Sequence, residues 1–565
     1  MIHQATVRST TPGPPLGDEP LGALTLGGFL RQVCHEHPQR EALVFHPPSG
    51  PPTRYRYADV WDEANTVARA LLARGVTKET RVGLLATNRP EWVCAVFGIA
   101  LAGATCVALS TFASPAELEY QLRVGDVSFL IFERSILKRD FAAELVGLCP
   151  EIGTAEREIH TARLPFLRQL VCIGEQPLAG AFQPWPDFLR TGTMALAPLV
   201  DAIGAEISPV DRAMVFFSSG STAKPKAIAH MHRAATIQFW RWRRFLGLDA
   251  DVRTWAANGF FWSGNFAMAL GATFAAGGCL VLQRYFVPGE ALRLMQAERV
   301  SMPLAWPHQW ARLAEDDAWH DVDLSALRYV GETSPLRTHP TVRATWQEPV
   351  AAYGNTETLT INTAYPSGTP RAEMEGNHGP PLPGNTIRIV DPLTGQVLGR
   401  GEVGEIVVKG PTLMLGYLRV AAEEVFDAEG FFHTGDGGFI DAQGRLHWQG
   451  RLNDIIKTGG ANVSPLEIDA VLAQCPGVKV AATVGVPHDT LGEMVVACIV
   501  TEAGATLDES ILRAFVAERL SSYKVPRRVI FLAESDLSLT GSNKVRTAAL
   551  RELAAGRLAA EPQRQ

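Results

Sequence analysis

Two hydrophobic periods alternate along the first two hundred residues. Residues 59–75 (DVWDEANTVARALLARG) space apolar positions three and four apart, whereas 81–86 (RVGLLA) and 128–133 (SFLIFE) are short continuous apolar runs. Such runs are typical of strands buried on both faces. The alternation therefore predicts a mostly parallel sheet covered by helices. Residues 212–353 repeat the pattern, with strands predicted at AMVFF, CLVLQ and ALRYVGE.

The pattern of apolar and turn-forming residues changes after residue 385. Residues 385–411 contain strand runs broken by Asp-Pro, Thr-Gly and Gly-Arg-Gly turns, which predict an antiparallel or barrel-like segment. Beyond Arg451, a set of about 100 residues has the pattern of a separate α+β unit. Its predicted helices are 464–475 and 508–520, and its predicted strands are 478–486, 493–502 and 527–534.

These patterns predict an α/β protein. We expect a large N-terminal domain of α/β subdomains plus a β-barrel-like segment, and a small α+β C-terminal domain. The predicted parts are a disordered proline- and glycine-rich leader (1–22), an N-terminal domain (23–450), a C-terminal domain (456–555) and a tail (556–565).

Two uncharged stretches, 92–116 and 254–283, are long enough to cross a bilayer. Both are rich in Gly, Ala, Ser and Thr, and neither has a flanking cluster of Lys or Arg. A helix followed by a buried strand accounts for such composition equally well. We therefore assign both stretches to the core and expect no integral membrane segment.

Composition narrows the range of partners. The 565 residues are 46% hydrophobic and 20% charged, as in an ordinary globular protein. With 52 basic and 59 acidic residues the net charge is −7, so nucleic acid is not expected as a partner. The eight cysteines form no CxxC pair, and residues 1–20 contain no apolar signal segment. Reduced thiols in a cytoplasmic protein are expected. Oligomeric state stays open.

The segment 218–226 (SSGSTAKPK) follows an apolar strand and precedes a predicted helix. Small hydroxyl residues around a glycine expose backbone N–H and O–H donors, and two lysines add positive charge, which suits a polyphosphate. It is not a Walker A loop, because no second glycine precedes the lysine. Taken alone, a Ser/Thr-rich surface loop is an equally good interpretation.

The segment resembles the phosphate-binding signature of the adenylate-forming (AMP-binding) superfamily, in its acyl-CoA synthetase, or carboxylate–CoA ligase, branch. Further blocks resembling that family follow in its order: 352–357 (AYGNTE), 379–384 (GPPLPG), 401–405 (GEVGE), 432–436 (FHTGD), 450–460 (GRLNDIIKTGG) and 540–545 (TGSNKV). An ordered set of blocks is far more specific than any one of them. The resemblance implies ATP, Mg²⁺ and coenzyme A as a co-substrate.

The resemblance also implies roles for individual residues. Tyr353 is expected to stack on adenine. Glu357 and Thr222 are expected to bind Mg²⁺ together with phosphate oxygens. Asp436 is expected to accept the ribose hydroxyls, and Arg451 to contact ribose and phosphate. The implied nucleotide-binding residues are Ser218, Ser219, Gly220, Ser221, Thr222, Lys226, Gly331, Glu332, Thr333, Tyr353, Gly354, Asn355, Thr356, Asp436 and Arg451.

The C-terminal blocks imply a mobile lid. Lys544 resembles the lysine that bridges the substrate carboxylate and the α-phosphate, and joins Glu357, Thr222 and Arg451 as an implied catalytic residue. Residues 451–455 resemble the family's hinge, with Asn453 at its centre. Gly459 and Gly460 resemble the loop that lines the pantetheine tunnel of coenzyme A, where glycine allows close approach.

The chain departs from the family pattern at a few positions. Ala223 and Ala227 stand where glycine is usual, which costs on the order of 1 kcal/mol wherever a positive φ is required. Ser538 replaces a proline, Asn543 a glycine, and Asn453 an Asp or Lys. None of these changes removes a group that does chemistry.

The substrate is expected to be an aliphatic or aryl carboxylate. Relatives that activate amino acids hold the α-ammonium with an acid in the block matching 258–264 (NGFFWSG), yet 254–283 contains no acid. A buried ammonium without a partner is too costly. Phe261, Trp262 and Trp306 are the predicted acyl pocket, and His308 is predicted to be structural. No Gly-Gly-Asp-Ser-Leu carrier site follows, so coenzyme A is the expected acceptor.

Two other classes stay open at this point. One is a luciferase-like oxygenase on the same scaffold, which oxygen uptake or light with an acyl adenylate would reveal. The other is a catalytically silent acyl- or nucleotide-binding homologue, which the two loop alanines allow. Release of pyrophosphate on adding ATP and carboxylates separates an enzyme from a binding protein.

We predict that Lys544→Ala abolishes formation of the acyl adenylate but spares formation of thioester from supplied acyl-AMP. The lysine has developing negative charge to offset only in the first step. The check is to measure the two half-reactions separately, by ATP–pyrophosphate exchange and by thioester mass. Equal loss of both half-reactions contradicts the assignment.

Overall fold

The computed structural model describes most of the chain. The described residues are 8–47, 50–174, 179–218, 225–332, 334–349, 351–454, 456–458, 461–488, 491–520, 524–538 and 545–560, without the side chains of 453, 461 and 462.

Within these residues the strands are short and distributed along the whole chain. In chain order they are β1 (Thr10–Pro12), β2 (Glu41–Phe45), β3 (Thr53–Arg56), β4 (Arg81–Leu85), β5 (Thr105–Ala108), β6 (Phe129–Glu133), β7 (Ser135–Ile136), β8 (Arg139–Asp140), β9 (Gln169–Ile173), β10 (Phe182–Pro184), β11 (Arg212–Phe217), β12 (Ala227–Met231), β13 (Arg253–Ala256), β14 (Cys279–Leu282), β15 (Met302–Leu304), β16 (Ala352–Tyr353), β17 (Thr363–Ala364), β18 (Thr386–Val390), β19 (Gly404–Lys409), β20 (Gly416–Tyr417), β21 (Phe432–Ile440), β22 (Leu446–Arg451), β23 (Ile456–Thr458), β24 (Ala461–Val463), β25 (Val478–His488), β26 (Gly492–Thr501) and β27 (Arg528–Phe531).

The helices fall between them. They are α1 (Leu26–Glu36), α2 (Tyr57–Ala73), α3 (Pro90–Leu101), α4 (Pro115–Val124), α5 (Phe141–Leu148), α6 (Glu151–Thr154), α7 (Trp185–Arg190), α8 (Ala197–Glu206), α9 (His232–Leu246), α10 (Ser263–Asn265), α11 (Ala272–Ala276), α12 (Pro288–Ala297), α13 (Pro307–Ala314), α14 (Arg371–Met374), α15 (Pro465–Leu472), α16 (Glu509–Ala517) and α17 (Thr547–Ala560).

Two mostly parallel sheets form the centre of the N-terminal part. One has eight strands in the order β10-β9-β6-β4-β5-β11-β12-β20, and the pairs from β10 to β11 are parallel. The other has the order β15-β13-β14-β2-β3, with only β2 and β3 antiparallel. The predicted parallel α/β arrangement is confirmed. The predicted strand at ALRYVGE is wrong, because residues 326–332 form a loop that hydrogen-bonds to the Ser301 carbonyl.

Both uncharged stretches lie largely in the core, as predicted, except that residues 112 and 114–116 are exposed. In the first, α3 is buried along nearly its whole length and leads into β5. In the second, a π-helical segment (Phe266–Gly271) and α11 connect β13 to β14. Among the described residues, no helix combines the length and hydropathy that crossing a membrane requires.

The predicted disordered leader is wrong for residues 8–22. Strand β1 pairs antiparallel with β18 at the edge of a third sheet, ordered β1-β18-β19-β21-β22, and Ser9 Oγ donates to the Gly399 carbonyl over 2.7 Å. A strand at the edge of a sheet is held by backbone hydrogen bonds and tolerates proline. The proline- and glycine-rich composition of the leader therefore gave no sign of this strand. All pairs in this sheet are antiparallel, as predicted for 385–411. Residues 1–7 lie outside the described part.

The small C-terminal unit has the predicted α+β order. Helices α15 and α16 and strands β25, β26 and β27 lie within the predicted limits to a few residues. Strand β26 is central, between β25, which is antiparallel, and β27, which is parallel. The predicted boundary at residue 555 is wrong, because α17 continues to Ala560 and buries Leu550 and Ala554.

A buried ion pair ties the leader to the body of the N-terminal part. The Arg241 Nε of α9 lies 3.0 Å from Glu19 Oε2, and both side chains are at most 2% exposed. Arg244 approaches the other carboxylate oxygen at 3.1 Å, and Arg241 also donates to the Pro383 carbonyl. Leader, helix and the 379–384 loop therefore meet at one charge pair.

We predict that Glu19→Ala lowers the free energy of unfolding by about 3–5 kcal/mol, because it leaves the Arg241 guanidinium buried and unpaired. The control is Asp201→Ala, which removes an exposed ion pair with Arg31 and should change stability by less than about 1 kcal/mol. Urea unfolding followed by tryptophan fluorescence measures both. Equal effects of the two substitutions contradict the importance of the buried pair.

Candidate active site

The predicted phosphate-binding segment connects the two strands of a β-hairpin. Strands β11 and β12 pair antiparallel up to Phe217 and Ala227, and the Ser218 N–H donates to the Lys226 carbonyl over 3.0 Å. A strand thus follows the loop where a helix was predicted, and α9 begins only at His232. The possible cost at Ala227 does not arise, since it has ordinary strand geometry. Ser219, Gly220, Ser221, Thr222 and Ala223 lie outside the described residues.

The 3₁₀ turn Thr356–Thr358 carries Glu357. Asn355 caps it by accepting the Thr358 N–H at Oδ1 over 3.0 Å. A Cβ at Gly354 would lie 1.6 Å from the Thr360 carbonyl oxygen, so only glycine fits there. The next two residues are left-handed, with φ of 48° at Leu359 and 91° at Thr360. Such backbone persists only where surrounding contacts impose it.

Side chains from the hairpin and α9 impose that backbone. His230 Nε2 donates to the Thr356 carbonyl over 2.8 Å. Gln238 Nε2 donates to the Thr358 and Ile361 carbonyls over 3.1 and 2.8 Å. Trp242 Nε1 donates to Thr360 Oγ1 over 2.9 Å. Burial lowers the pKa of His230 to about 4, so the ring is a neutral donor at pH 7.

Tyr417 connects two predicted phosphate-site residues. Its phenol donates to Glu357 Oε1 over 2.8 Å, and the Lys226 ammonium lies 4.6 Å from the centre of its ring. Burial, and then the Glu357 carboxylate, raise the pKa of the Tyr417 phenol, so it stays a proton donor. Lys226 and Glu357 are therefore brought to one ring although 131 positions apart in the printed sequence.

A second cluster joins three other predicted residues. The Tyr353 phenol donates to Asp436 Oδ2 over 2.7 Å, and Arg451 Nε lies 3.1 Å from Asp436 Oδ1. Arg451 also donates to the Thr434 carbonyl over 2.7 Å. Burial raises the pKa of Asp436, and the Arg451 charge opposes that shift. Asp436 is thus held by a donor on each oxygen.

The two clusters are electrostatic neighbours. The Glu357 charge contributes to raising the pKa of Asp436, and the Arg451 charge opposes the raised pKa of Tyr417. The Tyr353 side chain packs in a core cluster and the residue is only 6% exposed. Its stacking on adenine and the ribose role of Asp436 stay predictions.

The predicted acyl-pocket residues form an aromatic row. Ring centres are 5.5 Å apart for Phe261 and Trp262, 5.9 Å for Trp262 and Trp306, and 5.8 Å for Trp306 and His308. Burial, and then Arg312, lower the pKa of His308. The row is therefore neutral at pH 7.

A neutral amide network supports this row. Asn258 and Gln309 exchange two side-chain hydrogen bonds of 3.0 Å, and Asn88 Nδ2 donates to the Asn258 carbonyl over 2.9 Å. Phe216 of β11 contacts both His230 and Phe266, with ring centres 6.1 and 5.5 Å away. The hairpin and the aromatic segment are thus packed together.

Other predicted residues contact different partners or are outside the described part. Glu332 forms a surface ion pair with Arg371, and a Cβ at Gly331 would lie 2.2 Å from Glu348 Oε2. Thr333, Gly459, Gly460 and Lys544 are outside the described residues, as is the Asn453 side chain. The Asn453 backbone lies in the 3₁₀ turn Leu452–Asp454, directly after β22.

Sequence reasoning missed the residues that support the site. His230 and Gln238 gave a weak signal, since each is a polar side chain within an apolar strand or helix face. Tyr417 gave none, because its partners are distant in the chain.

The donor set near Glu357 suits Mg²⁺. Tyr417 donates to Oε1 of the carboxylate, and no hydrogen bond among the described residues involves Oε2, which an oxygen-seeking cation could bind. No group of three or more His, Cys, Asp or Glu side chains arranged for a metal occurs in the described residues. Mg²⁺ bound through one carboxylate, phosphates and waters needs no such cage.

The family follows from sequence profiles. The profile of the AMP-binding enzyme matches residues 30–418, and that of the AMP-binding enzyme C-terminal domain matches residues 467–544. The chain belongs to the AMP-binding enzyme family. The family resemblance predicted from the ordered motifs is confirmed.

Several CoA ligases match this AMP-binding enzyme along nearly its whole length. A Mycobacterium tuberculosis propanoyl:CoA ligase, whose acyl group bears a methyl-dioxo-octahydro-indenyl ring, is 30% identical over 94% of this chain and 99% of its own. The crystal structure of the anthranilate CoA ligase AuaEII with anthranoyl-AMP has a TM-score of 0.76 and 26% identity, covering 97% and 100% of the two chains.

An ATP-bound structure of MatB from Rhodopseudomonas palustris has a TM-score of 0.73 and 26% identity, covering 94% of this chain and 99% of MatB. The reaction class is therefore ATP-dependent ligation of a carboxylate to coenzyme A through an acyl adenylate. ATP and coenzyme A are its co-substrates, and Mg²⁺ is typical of the family.

We predict that acid destabilises the folded enzyme through His230. Its folded pKa of about 4 lies below the ordinary 6.5, so its contribution is complete above pH 6.5 and is lost as the pH falls towards 4. The loss is on the order of 3 kcal/mol. His230→Gln keeps an N–H donor without titrating, and should flatten the fall in urea midpoint between pH 6.5 and 4.

The control is His160→Gln, at a side chain that is 71% exposed. It should leave the pH dependence as in the wild type. A His230→Gln protein that loses stability on acidification as steeply as the wild type contradicts the prediction.

Proposed function

We propose that this AMP-binding enzyme activates a carboxylate with an uncharged aliphatic or aryl tail, and not an amino acid. The single observation that supports this most is the aromatic row of Phe261, Trp262 and Trp306 beside the neutral Asn258–Gln309 pair. An α-ammonium that enters this neutral aromatic pocket must give up its hydration without gaining an anionic partner.

In the proposed adenylation step, the carboxylate of the substrate attacks the α-phosphate of ATP and pyrophosphate leaves. Glu357 and Thr222 are proposed to hold Mg²⁺, which when bound neutralises phosphate charge. Lys226 is proposed to contact the phosphates, Asp436 the ribose hydroxyls, and Tyr353 the adenine. The pairing of Asp436 with Arg451 supports an ionised carboxylate able to accept hydroxyl donors.

In the proposed second step, the coenzyme A thiolate attacks the acyl carbonyl and AMP leaves. We propose that residues 451–455, with Asn453 at their centre, are the hinge of the rotation between the steps, and that Gly459 and Gly460 line the channel for pantetheine. The 3₁₀ turn Leu452–Asp454, which directly follows β22, supports this placement.

A cytoplasmic location is also proposed. All eight cysteines are free and buried, which suits a reducing compartment.

Two relatives are named as CoA ligases for acids with ring-bearing tails, so such acids are among the substrates to be tried first. Release of pyrophosphate with ATP and such acids, followed by thioester formation with coenzyme A, is the test of the reaction. Light emission or oxygen uptake would favour the luciferase-like alternative, and no pyrophosphate with any acid would favour a silent homologue.

We predict that a carboxylic acid has a higher kcat/KM than its α-amino analogue by at least 100-fold. The ammonium must be desolvated without a partner, a penalty of several kcal/mol. The matched pair is assayed by thioester mass and pyrophosphate release. A better rate with the amino acid contradicts the proposed pocket.

A further inference from the structure

Tyr417 lies where the hairpin, the Glu357 turn and the antiparallel sheet meet. It belongs to β20, which pairs with β12 through Ile228. In the same segment the Met414 N–H donates to the Glu357 carbonyl over 2.8 Å. The segment 414–417 therefore holds Glu357 twice, by its backbone and by its side chain.

The Tyr417 ring itself is fixed in place. Its edge faces Phe432, with ring centres 6.4 Å apart at 73°, and the Lys226 ammonium covers it. The phenol donates to Glu357 Oε1 over 2.8 Å, since an ionised carboxylate oxygen can only accept a hydrogen bond. The carboxylate is thereby oriented with one oxygen occupied and the other free of the phenol.

We propose that Tyr417 is a positioning residue that orients the Glu357 carboxylate for Mg²⁺ bound with ATP, and that it couples this carboxylate to Lys226. The proposal rests on the proposed metal role of Glu357. A carboxylate that is not held in place loses rotational freedom when it binds the cation, and this loss costs binding free energy. Removing the phenol should therefore weaken binding of the metal–nucleotide complex more than binding of the nucleotide without metal.

The experiment is binding of α,β-methylene-ATP to the full-length protein, measured by isothermal titration calorimetry over a series of Mg²⁺ concentrations and in EDTA. For Tyr417→Phe, which keeps the ring beneath Lys226, we expect the half-saturating Mg²⁺ concentration to rise about 3- to 10-fold. Binding in EDTA should change less than twofold. Thioester formation from supplied acyl-AMP should likewise stay within twofold of the wild type.

Two comparisons make the result decisive. Tyr57→Phe removes another buried phenol, which donates to the Gly278 carbonyl over 2.7 Å, and should not alter the Mg²⁺ response. Glu357→Gln should abolish that response. If Glu357→Gln is impaired, two results for Tyr417→Phe overturn the proposal. One is a normal Mg²⁺ response, and the other is an equal loss of nucleotide affinity in Mg²⁺ and in EDTA. A normal response in Glu357→Gln overturns the proposed metal role itself.

If Tyr417→Phe does not fold, Tyr417→His is the second variant. Its shorter ring cannot reach Glu357 Oε1, so the same Mg²⁺-selective loss is expected. Retention of the wild-type Mg²⁺ response by Tyr417→His overturns the proposal.

Discussion

The site depends on one strained turn. Residues 354–360 place a glycine against a carbonyl and two non-glycine residues in left-handed backbone, a conformation that costs on the order of 1–3 kcal/mol per residue. Hydrogen bonds from His230, Gln238 and Trp242 impose it. Because these donors come from the hairpin and α9, the position of Glu357 is set by the same elements that present the phosphate loop.

The rest of the N-terminal fold holds those elements in register. α9 follows the hairpin directly and carries Arg241, whose buried pair with Glu19 attaches the leader and the 379–384 loop. The antiparallel sheet then brings Asp436 and Arg451 opposite each other in paired strands. Residues predicted to bind the nucleotide thus come from distant segments of the chain, and hydrogen-bonded strands position Tyr353, Asp436 and Arg451.

The function proposed for this enzyme divides the candidate residues into a charged region and a neutral region. Lys226, Glu357, Asp436 and Arg451 form linked charge clusters, as a polyphosphate and a metal require. The aromatic row and its amide pair are neutral, as an uncharged acyl tail requires. Phe216 of β11 contacts both His230, which supports the Glu357 turn, and Phe266 of the π-helical segment that follows Phe261 and Trp262 in the chain.

The sequence by itself determined the family, the parallel α/β core and the order of the C-terminal unit, because motif spacing and hydrophobic period are local properties of the chain. It also named most of the candidate residues. The tertiary structure alone decided that residues 8–22 are ordered, that a strand follows the phosphate loop, and that Tyr417 contacts Glu357. Each of these depends on partners distant in the chain, and no local pattern records which strand edge or side chain the fold will bring alongside.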